Sequence, residues 1–387
     1  MILSKIELVN WKNFHSCSVN LADRTFIVGA NASGKSNFLD AFRFLHDIAK
    51  SGGGLQTAVA SRGGMTKIRC LAARKTTSIE ICVTLKDTWE GNETWKYRLA
   101  FKSFGGGIMA KGVFIVKEEV VRSGEVVLSR TSDDADEDPE TLKYTHLEQA
   151  TSNQKFRELR EFFNKIEYLN IIPQLVRESA SVMFSSDKED FYGRNFLQRL
   201  AVMNKATSAA YFKRVNEVLK LAVPQLDELK LVYDRMGVPH LEAKYEHWRA
   251  KGSKQQEEQF SDGTLRLIGF LFALLDCKGI ILLEEPETNL HSAIVAQMPE
   301  FISKLQRSKK ETRQVFITTH SYDILANGGI GSDEVVLLKP SKEGTVIVNV
   351  DNLEDVATEL KAGLSMADAI LPHTRPNGID SLSLLKL

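Results

Sequence analysis

The sequence predicts an α/β fold: a mixed central β-sheet flanked by helices, with an antiparallel β subdomain and a helical insert. A β-branched and aromatic run at 25–28 leads into a glycine-rich turn and a helical pattern at 37–45. Short alternating runs separated by turn residues fill about 67–130, and helical spacing replaces them over about 146–222. From about 260 onward apolar strands and helices alternate again, as expected for a sheet covered by helices.

Composition is that of an ordinary globular protein. The 387 residues suggest about two domains, and 43% are hydrophobic and 26% charged. Lys plus Arg and Asp plus Glu each number 50, so net charge indicates neither a nucleic-acid nor a membrane partner. Four scattered cysteines form no CxxC pair, which argues against a zinc site and favours a reducing compartment. With no signal peptide and no apolar run long enough to span a bilayer, we expect a cytoplasmic protein without a membrane partner.

The strongest local motif is the run 29–36, Gly-Ala-Asn-Ala-Ser-Gly-Lys-Ser, which matches the phosphate-loop template at every fixed position. In this motif backbone N–H groups and the helix dipole hold the phosphates of a nucleotide. Lys35 is placed to reach the β and γ phosphates, and Ser36 to place its hydroxyl on Mg²⁺. The predicted nucleotide contacts of the loop are Asn31, Ala32, Ser33, Gly34, Lys35, Ser36 and Asn37. The alternative, a chance glycine turn beside a lysine, explains neither the strand before it nor the helix after it.

A second motif joins an apolar strand at 280–283 to the carboxylates of Glu284 and Glu285. We assign Glu284 to Mg²⁺, because this ion binds few protein oxygens and keeps most of its waters. We assign Glu285 to the general base that polarises the attacking water. The plainer alternative is a strand end with two solvated acids.

Two more segments depend on their order along the chain. Ser261 is placed to cap a helix, and Gly263 would let backbone approach a ligand. His320 follows a buried strand, where a lone histidine is more often structural. Taken singly, each of these observations favours the structural interpretation. Their order around the acidic strand favours a γ-phosphate contact at Ser261 and Gly263 and a switch at His320.

With these motifs in this order, the chain resembles an ABC-type ATPase of the RecF, SMC and OLD branch, and most of all the AAA15/AAA21-like ATPases. Residues 8–14 resemble the opening segment L-x-N-F-K-x-F of that branch. Residues 261–266 resemble its signature S-D-G-T-x-R, and residues 285–291 resemble E-P-E-x-x-L-H. The resemblance is strong over about 1–45 and 259–340.

The resemblance implies ATP and Mg²⁺ as cofactors and a head-to-tail homodimer or higher oligomer. The phosphate loop, Glu284, Glu285 and His320 of one copy would then act with Ser261 and Gly263 of the other. It further implies a regulatory switch or scaffold that works with a separate effector protein, in the setting of anti-phage defence.

The chain also departs from the family pattern. Glu284 stands where the Walker B motif has Asp, although this branch often has Glu-Glu there, and His291 stands where an Asp is usual. No transporter-like Q-loop is evident; residues 62–64 either take its place or form a plain turn. Arg177 and residues 193–195 resemble family positions for which the sequence indicates no role.

Four regions follow: 1–145 as a first ATPase lobe with the β subdomain, 146–258 as a mostly helical insert, 259–350 as a second lobe, and 351–387 as a tail. The insert has no sustained heptads and no zinc-hook cysteines, which argues against an SMC-type arm. The few acids after His320 argue against an appended TOPRIM nuclease. Three alternatives remain: a RecF-like ATPase that binds DNA, an ATP-gated scaffold, and a transporter motor, the last disfavoured by its missing Q-loop.

Overall fold

The computed structural model describes residues 1–74, 77–103, 112–134, 138–178, 192–246, 253–307 and 313–375. The chain divides into two compact units. The first unit comprises Met1–Ile166, Lys278–Leu282 and Lys309–Leu387. The second unit comprises Glu167–Cys277 and Leu283–Ser308.

One sheet of the first unit is antiparallel throughout. Its strands are β1 (Ile2–Trp11), β2 (Phe14–Asn20), β4 (Ile79–Lys86), β5 (Glu93–Ser103), β6 (Val113–Arg122) and β7 (Glu125–Thr131). They lie in the order β2-β1-β4-β5-β6-β7, so the last four strands form a meander. The sequence predicts this meander from short alternating runs between turns, and the structure confirms it.

The other sheet of the first unit is mixed, as predicted. Its strands are β3 (Arg24–Gly29), β12 (Ile280–Glu284), β13 (Gln314–Thr319), β14 (Val335–Ser341) and β15 (Gly344–Asn349). Within this unit they follow the order β15-β14-β3-β13-β12, and the last two residues of β12 belong to the second unit. The central strand β3 runs parallel to β13 and β14, whereas β15 is antiparallel to β14. All residues of β3 and β13 are buried, as in parallel strands covered on both faces.

Seven α-helices are described in the first unit, and the first of them packs on both sheets through aromatic side chains. They are α1 (Lys35–Ala49), α2 (Leu55–Ala60), α3 (Met65–Ile68), α4 (Arg157–Asn164), α11 (Tyr322–Leu325), α12 (Glu354–Lys361) and α13 (Met366–Thr374). The rings of Phe42 on α1 and Phe316 on β13 are 4.9 Å apart, and those of Trp11 and Phe44 are 5.1 Å apart. These contacts fix the helix that follows the phosphate loop against both sheets.

The second unit is built around one apolar helix. Its helices are α5 (Pro173–Arg177), α6 (Phe196–Val202), α7 (Lys205–Ala222), α8 (Asp262–Asp276), α9 (Ser292–Val295) and α10 (Met298–Arg307). Its strands are β8 (Glu167–Leu169), β9 (Leu226–Tyr233), β10 (Pro239–Tyr245) and β11 (Ser253–Gln256), of which the last three form an antiparallel sheet. On α8, Phe272 packs against Phe196 and Phe212. None of the helices that the structure describes is both long and apolar enough to cross a membrane.

The structure differs from the sequence pattern in two short segments. A strand predicted at 67–72 is wrong, because residues Met65–Ile68 form α3. The backbone N–H of Lys12 donates to the carbonyl of Ile68, a long-range contact that periodicity does not reveal. The polar residues 251–259 predict a mobile connection, but Ser253–Gln256 pairs with β10. Residues 251–252 lie outside the described residues.

Two predicted helix boundaries also change. The helix predicted over 292–305 is two helices, Ser292–Val295 and Met298–Arg307. Pro372, predicted to break the tail, lies inside α13, two residues before the helix ends at Thr374. The sequence also predicts a glycine turn at 105–107, an exposed acidic loop at 133–140 and a break at Pro376. Residues 105–107, 135–137 and 376 lie outside the described residues.

Candidate functional site: a phosphate loop and its partner motifs

The phosphate loop lies between the end of β3 and the start of α1. Gly34 has φ of 101° and immediately precedes the helix, and Ala32 also has a positive φ of 61°. A turn between Ala30 and Ser33 closes through an N–H···O bond of 3.1 Å. The left-handed backbone at Gly34 favours glycine, which explains why the template fixes this position.

The side chain of Asn13 supports the loop through hydrogen bonds, a role that the sequence did not indicate. Its Nδ2 donates to the carbonyl of Ser33 at 2.9 Å and to Thr345 Oγ1 at 2.7 Å. Its Oδ1 accepts from Asn37 Nδ2 at 2.9 Å. A Cβ added to Gly34 would lie 2.0 Å from Asn13 Nδ2, so only glycine fits above this amide. The only available signal was the likeness of residues 8–14 to the family's opening segment.

Lys35 and Ser33 fit a site for an anionic ligand. The ammonium Nζ of Lys35 donates to the carbonyls of Gly29 at 3.0 Å and Ala30 at 3.3 Å, so it lies folded over the loop. The hydroxyl Oγ of Ser33 is buried and has no hydrogen-bond partner among the described residues. A buried unpaired hydroxyl costs free energy unless a ligand supplies the partner. The residues present therefore fit a nucleotide phosphate.

A cleft of about 700 Å³ lies beside the loop, and Asn13 and Asn37 form part of its wall. Its volume falls within the range of small-molecule sites. Five basic side chains line it, against the single acid Glu343. They are Lys12, Lys67, Arg69, Arg74 and Lys342.

His320 lies at the same sheet edge as the loop. In the register of the parallel strands β13 and β3, Thr319 pairs with Val28. The next residues along the chain are His320 and Gly29. The His320 side chain is exposed, whereas Thr318 and Thr319 are fully buried. The structure thus brings the predicted switch histidine next to the start of the phosphate loop.

The signature motif lies at the start of α8 in the second unit. The hydroxyl of Ser261 accepts from the N–H of Thr264 at 3.1 Å, so Ser261 is the N-cap of this helix. A Cβ added to Gly263 would lie 2.4 Å from the carbonyl oxygen of Asn289, so the start of α8 contacts the loop at Asn289 through backbone atoms. The predicted cap is present, and the γ-phosphate role of Ser261 and Gly263 stays a prediction.

The backbone is unusual at the acidic pair, where strand β12 ends. Glu285 has φ of 42°, which is uncommon for a residue other than glycine. The carbonyl of Glu285 accepts from the N–H and from Oγ1 of Thr288, at 3.1 and 2.9 Å. These bonds hold a tight turn directly after the strand. Because of this turn, the backbone leaves the strand at Glu285, directly after Glu284.

Two further side chains contact or face this acidic pair. Tyr168 donates its hydroxyl to the carboxylate of Glu284. Burial lowers the pKa of Arg266, while the negative charges of Asp262 and Glu285 act in the opposite direction. Arg266 therefore lies within electrostatic reach of the predicted base.

The departures from the family pattern have local explanations. Nδ1 of His291 accepts from the N–H of Ala293 at 3.2 Å, so His291 caps α9, as an Asp at this position could. The turn at 62–64 places the guanidinium of Arg62 on Asp40 at 2.9 Å and on Asp47 at 2.8 Å. The Arg62 side chain is thus engaged in ion pairs, which favours the plain-turn interpretation.

The predicted metal ligands are divided between the two units, Ser36 in the first and Glu284 in the second. Within the part of the chain that the structure describes, no group of three or more His, Cys, Asp or Glu side chains is arranged to hold a metal ion. Mg²⁺ at a nucleotide needs only one or two protein ligands beside phosphates and water. The joint role of Ser36 and Glu284 as Mg²⁺ ligands stays a prediction.

Comparison with known proteins supports this interpretation. The AAA_21 family, described as "AAA domain, putative AbiEii toxin, Type IV TA system", matches residues 24–326. Among solved structures, an SMC head bound to the C-terminal winged-helix domain of ScpA is 16% identical, covers 92% of this chain and 100% of its own, and has a TM-score of 0.54. An SMC head with an extended coiled coil, bound to the C-terminal domain of ScpA and derived from Pyrococcus furiosus, is 15% identical, covers 93% and 99%, and has a TM-score of 0.50. No curated protein sequence matches the chain. The likeness shows that the fold is that of an ABC-type ATPase head.

Proposed function

Because the chain belongs to the AAA_21 family and has the fold of an ABC-type ATPase head, we propose that it binds and hydrolyses ATP as a head-to-tail dimer. The observation that carries this proposal is the prebuilt phosphate cradle. The side-chain amide of Asn13 donates to the Ser33 carbonyl, and Gly34 leaves room for this amide. The buried Ser33 hydroxyl has no hydrogen-bond partner among the described residues.

In this proposal each residue has one task. Lys35 leaves the carbonyls of Gly29 and Ala30 and neutralises the β and γ phosphates. Ser36 and Glu284 would hold Mg²⁺, which would neutralise charge that develops on those phosphates. Glu285 takes a proton from the water that attacks the γ phosphorus. The bond to the β-bridging oxygen breaks, and ADP and inorganic phosphate leave.

The family resemblance supports the dimer. The signature residues Ser261 and Gly263 belong to the second unit, and the phosphate loop belongs to the first. In the head-to-tail arrangement that the family resemblance implies, the signature of one copy completes the nucleotide site of the other. His320 then senses the γ phosphate from the loop side.

We further propose that ATP controls a separate effector protein and that the dimer is a regulatory switch or scaffold in cytoplasmic anti-phage defence. Two observations support this step. The family description names a toxin–antitoxin system, and the similar SMC heads are bound to a second protein, ScpA.

A RecF-like role in binding DNA is the second candidate, favoured by the basic side chains that line the cleft beside the loop. Four of them, Lys67, Arg69, Arg74 and Lys342, face only one acid there, Glu343. Binding to duplex DNA that weakens steeply with salt and stimulates ATP turnover would favour this candidate. Binding that ignores salt would exclude it.

The direct test is the variant Glu285→Gln, which keeps the size of the side chain and removes the base. We expect ATP to be bound, a dimer to persist in light scattering, and hydrolysis to fall at least 100-fold, as is usual for a lost general base. Glu300→Gln is the control, because this exposed glutamate lies on α10 and pairs with Lys304. Unchanged hydrolysis in Glu285→Gln would remove Glu285 from its role, and wild-type protein that binds no ATP would overturn the proposal.

A further inference from the structure

One short segment of the second unit contacts both the acidic strand end and the signature. It begins in β8, where Tyr168 is buried and donates its hydroxyl to the carboxylate of Glu284. A hydrogen bond to an ionised acceptor is stronger than one between neutral groups. The phenol therefore limits the directions in which the Glu284 carboxylate can point.

The segment ends at Arg177, the last residue of α5. Its Nη2 donates to the carbonyl of Phe260 at 2.7 Å and to the carboxylate of Asp262 at 2.6 Å. These two acceptors stand immediately before and after Ser261. The guanidinium thus holds the Phe260 backbone and the Asp262 side chain, on either side of the predicted γ-phosphate contact.

Between its two ends the segment is packed directly on α8. A Cβ added to Gly269 would lie 2.6 Å from Cγ1 of Ile171, so the isoleucine occupies the space above this glycine. Ile171 is 5% exposed and Val176 is 1% exposed. Close packing of this kind transmits displacement, because the neighbours cannot move independently.

We propose that residues 168–177 are a positioning segment that couples the Mg²⁺-side carboxylate Glu284 to the signature loop of the same copy. The proposal rests on the dimeric ATPase function proposed above. In a head-to-tail dimer Glu284 serves the nucleotide of its own copy, whereas Ser261 and Gly263 serve the nucleotide of the partner copy. The segment therefore links the two nucleotide sites, and a metal held at one site stabilises the signature presented to the other.

The first test measures metal binding in Tyr168→Phe, which removes one hydroxyl and keeps the ring. Mn²⁺ binding in the presence of ATP is followed by electron paramagnetic resonance. We expect the variant to bind Mn²⁺ about tenfold more weakly, as is typical when the residue that orients a metal ligand is lost, with ATP affinity unchanged in the absence of metal.

Tyr97→Phe is the matched control for this test. Tyr97 also donates to a buried carboxylate, Glu118, at 3.1 Å, but it lies in the antiparallel sheet of the first unit. This variant should lower thermal stability without changing Mn²⁺ affinity. Equal Mn²⁺ affinity in wild type and Tyr168→Phe would overturn the positioning role of Tyr168.

The second test measures the coupling itself. The dimer dissociation constant in ATP is determined with and without Mn²⁺ by analytical ultracentrifugation, using the Glu285→Gln background to prevent turnover. In the parent protein we expect Mn²⁺ to lower the dimer dissociation constant. In Tyr168→Phe and in Arg177→Gln we expect the ratio of the constant without Mn²⁺ to the constant with Mn²⁺ to be at least threefold closer to one. Arg177→Lys should restore part of the ratio, because it keeps the charge near Asp262.

Lys244→Gln is the control for the arginine, because Lys244 on β10 pairs with Asp227 on β9 at 2.7 Å, within the antiparallel sheet of the second unit. This variant should leave the ratio unchanged. A ratio that stays at the wild-type value in both Tyr168→Phe and Arg177→Gln would overturn the coupling. If the parent protein stays monomeric in ATP, the proposed dimer is wrong, yet a loss of Mn²⁺ affinity in Tyr168→Phe would still support the first half of the inference.

Discussion

At the scale of single residues, glycines decide where backbones can meet around the motifs. Gly263 lies in the second position of α8, where a helix would normally prefer alanine. A Cβ there would lie 2.4 Å from the carbonyl oxygen of Asn289, and a carbonyl oxygen of the backbone cannot rotate away. The glycine is therefore required by the neighbouring loop and not by the helix.

We expect Gly263→Ala to destabilise the protein by about 1–3 kcal/mol, the usual cost of overpacking, despite the better helix propensity of alanine. Urea denaturation followed by circular dichroism measures this change. Gly328→Ala is the control, because no heavy atom lies within 4 Å of its added Cβ, and its effect should stay within about 0.5 kcal/mol. Equal effects of the two variants would contradict the steric argument.

At the scale of elements, an ionic cluster joins α1 to the turn after α2. Asp40 accepts from Arg62 at 2.9 Å and pairs with Lys12 at 2.7 Å, and its side chain is only 9% exposed. Burial by itself would raise the pKa of Asp40, but the charges and hydrogen bonds of Arg62 and Lys12 outweigh burial and hold it below its usual value. A carboxyl whose pKa is depressed on folding stabilises the folded state above its unfolded pKa, and this contribution is lost as the pH falls through the folded pKa.

We expect Asp40→Asn to lower the free energy of unfolding by about 3 kcal/mol at pH 7, because Lys12 loses its ion-pair partner and the buried Arg62 keeps only Asp47. The difference from wild type should shrink as the pH falls below about 4, the unperturbed pKa of Asp. Urea titrations between pH 3 and pH 7 measure it. The exposed Asp351→Asn should show no such loss, and a difference that persists unchanged at pH 3 would contradict the role of the Asp40 charge.

At the scale of the whole molecule, the predicted site residues belong to two compact units. The phosphate loop and His320 belong to the first unit, and Glu285 and the signature belong to the second. A ligand bound at the loop alone protects only the first group of residues. A ligand shared by two copies in the proposed dimer protects both groups.

Hydrogen exchange can separate these two states. In the Glu285→Gln variant we expect ADP to slow exchange at 29–37 only, whereas ATP with Mg²⁺ slows exchange at 29–37 and also at 261–264, because the partner's nucleotide then covers the signature. Lys35→Ala should lose both effects. Protection of the signature by ADP as strongly as by ATP would contradict a γ-phosphate contact.

Much of the fold was readable from sequence because its signals are local. The phosphate loop is eight consecutive residues, and its strand and helix adjoin it directly. The meander from β4 to β7 follows chain order, so alternating runs and turns were enough to predict it. The failures were segments that tertiary contacts override: Ser253–Gln256 becomes a strand because β10 pairs with it, although its own residues are polar.

The sequence by itself determined which residues are predicted to carry the phosphate, metal and base roles, since each motif consists of neighbouring residues. Only the tertiary structure decided what supports them. Asn13 beneath Ser33, Tyr168 on Glu284 and Arg177 beside Asp262 each join residues at least 20 positions apart in the sequence. Such contacts leave no period or spacing in the sequence, because packing alone brings their partners together.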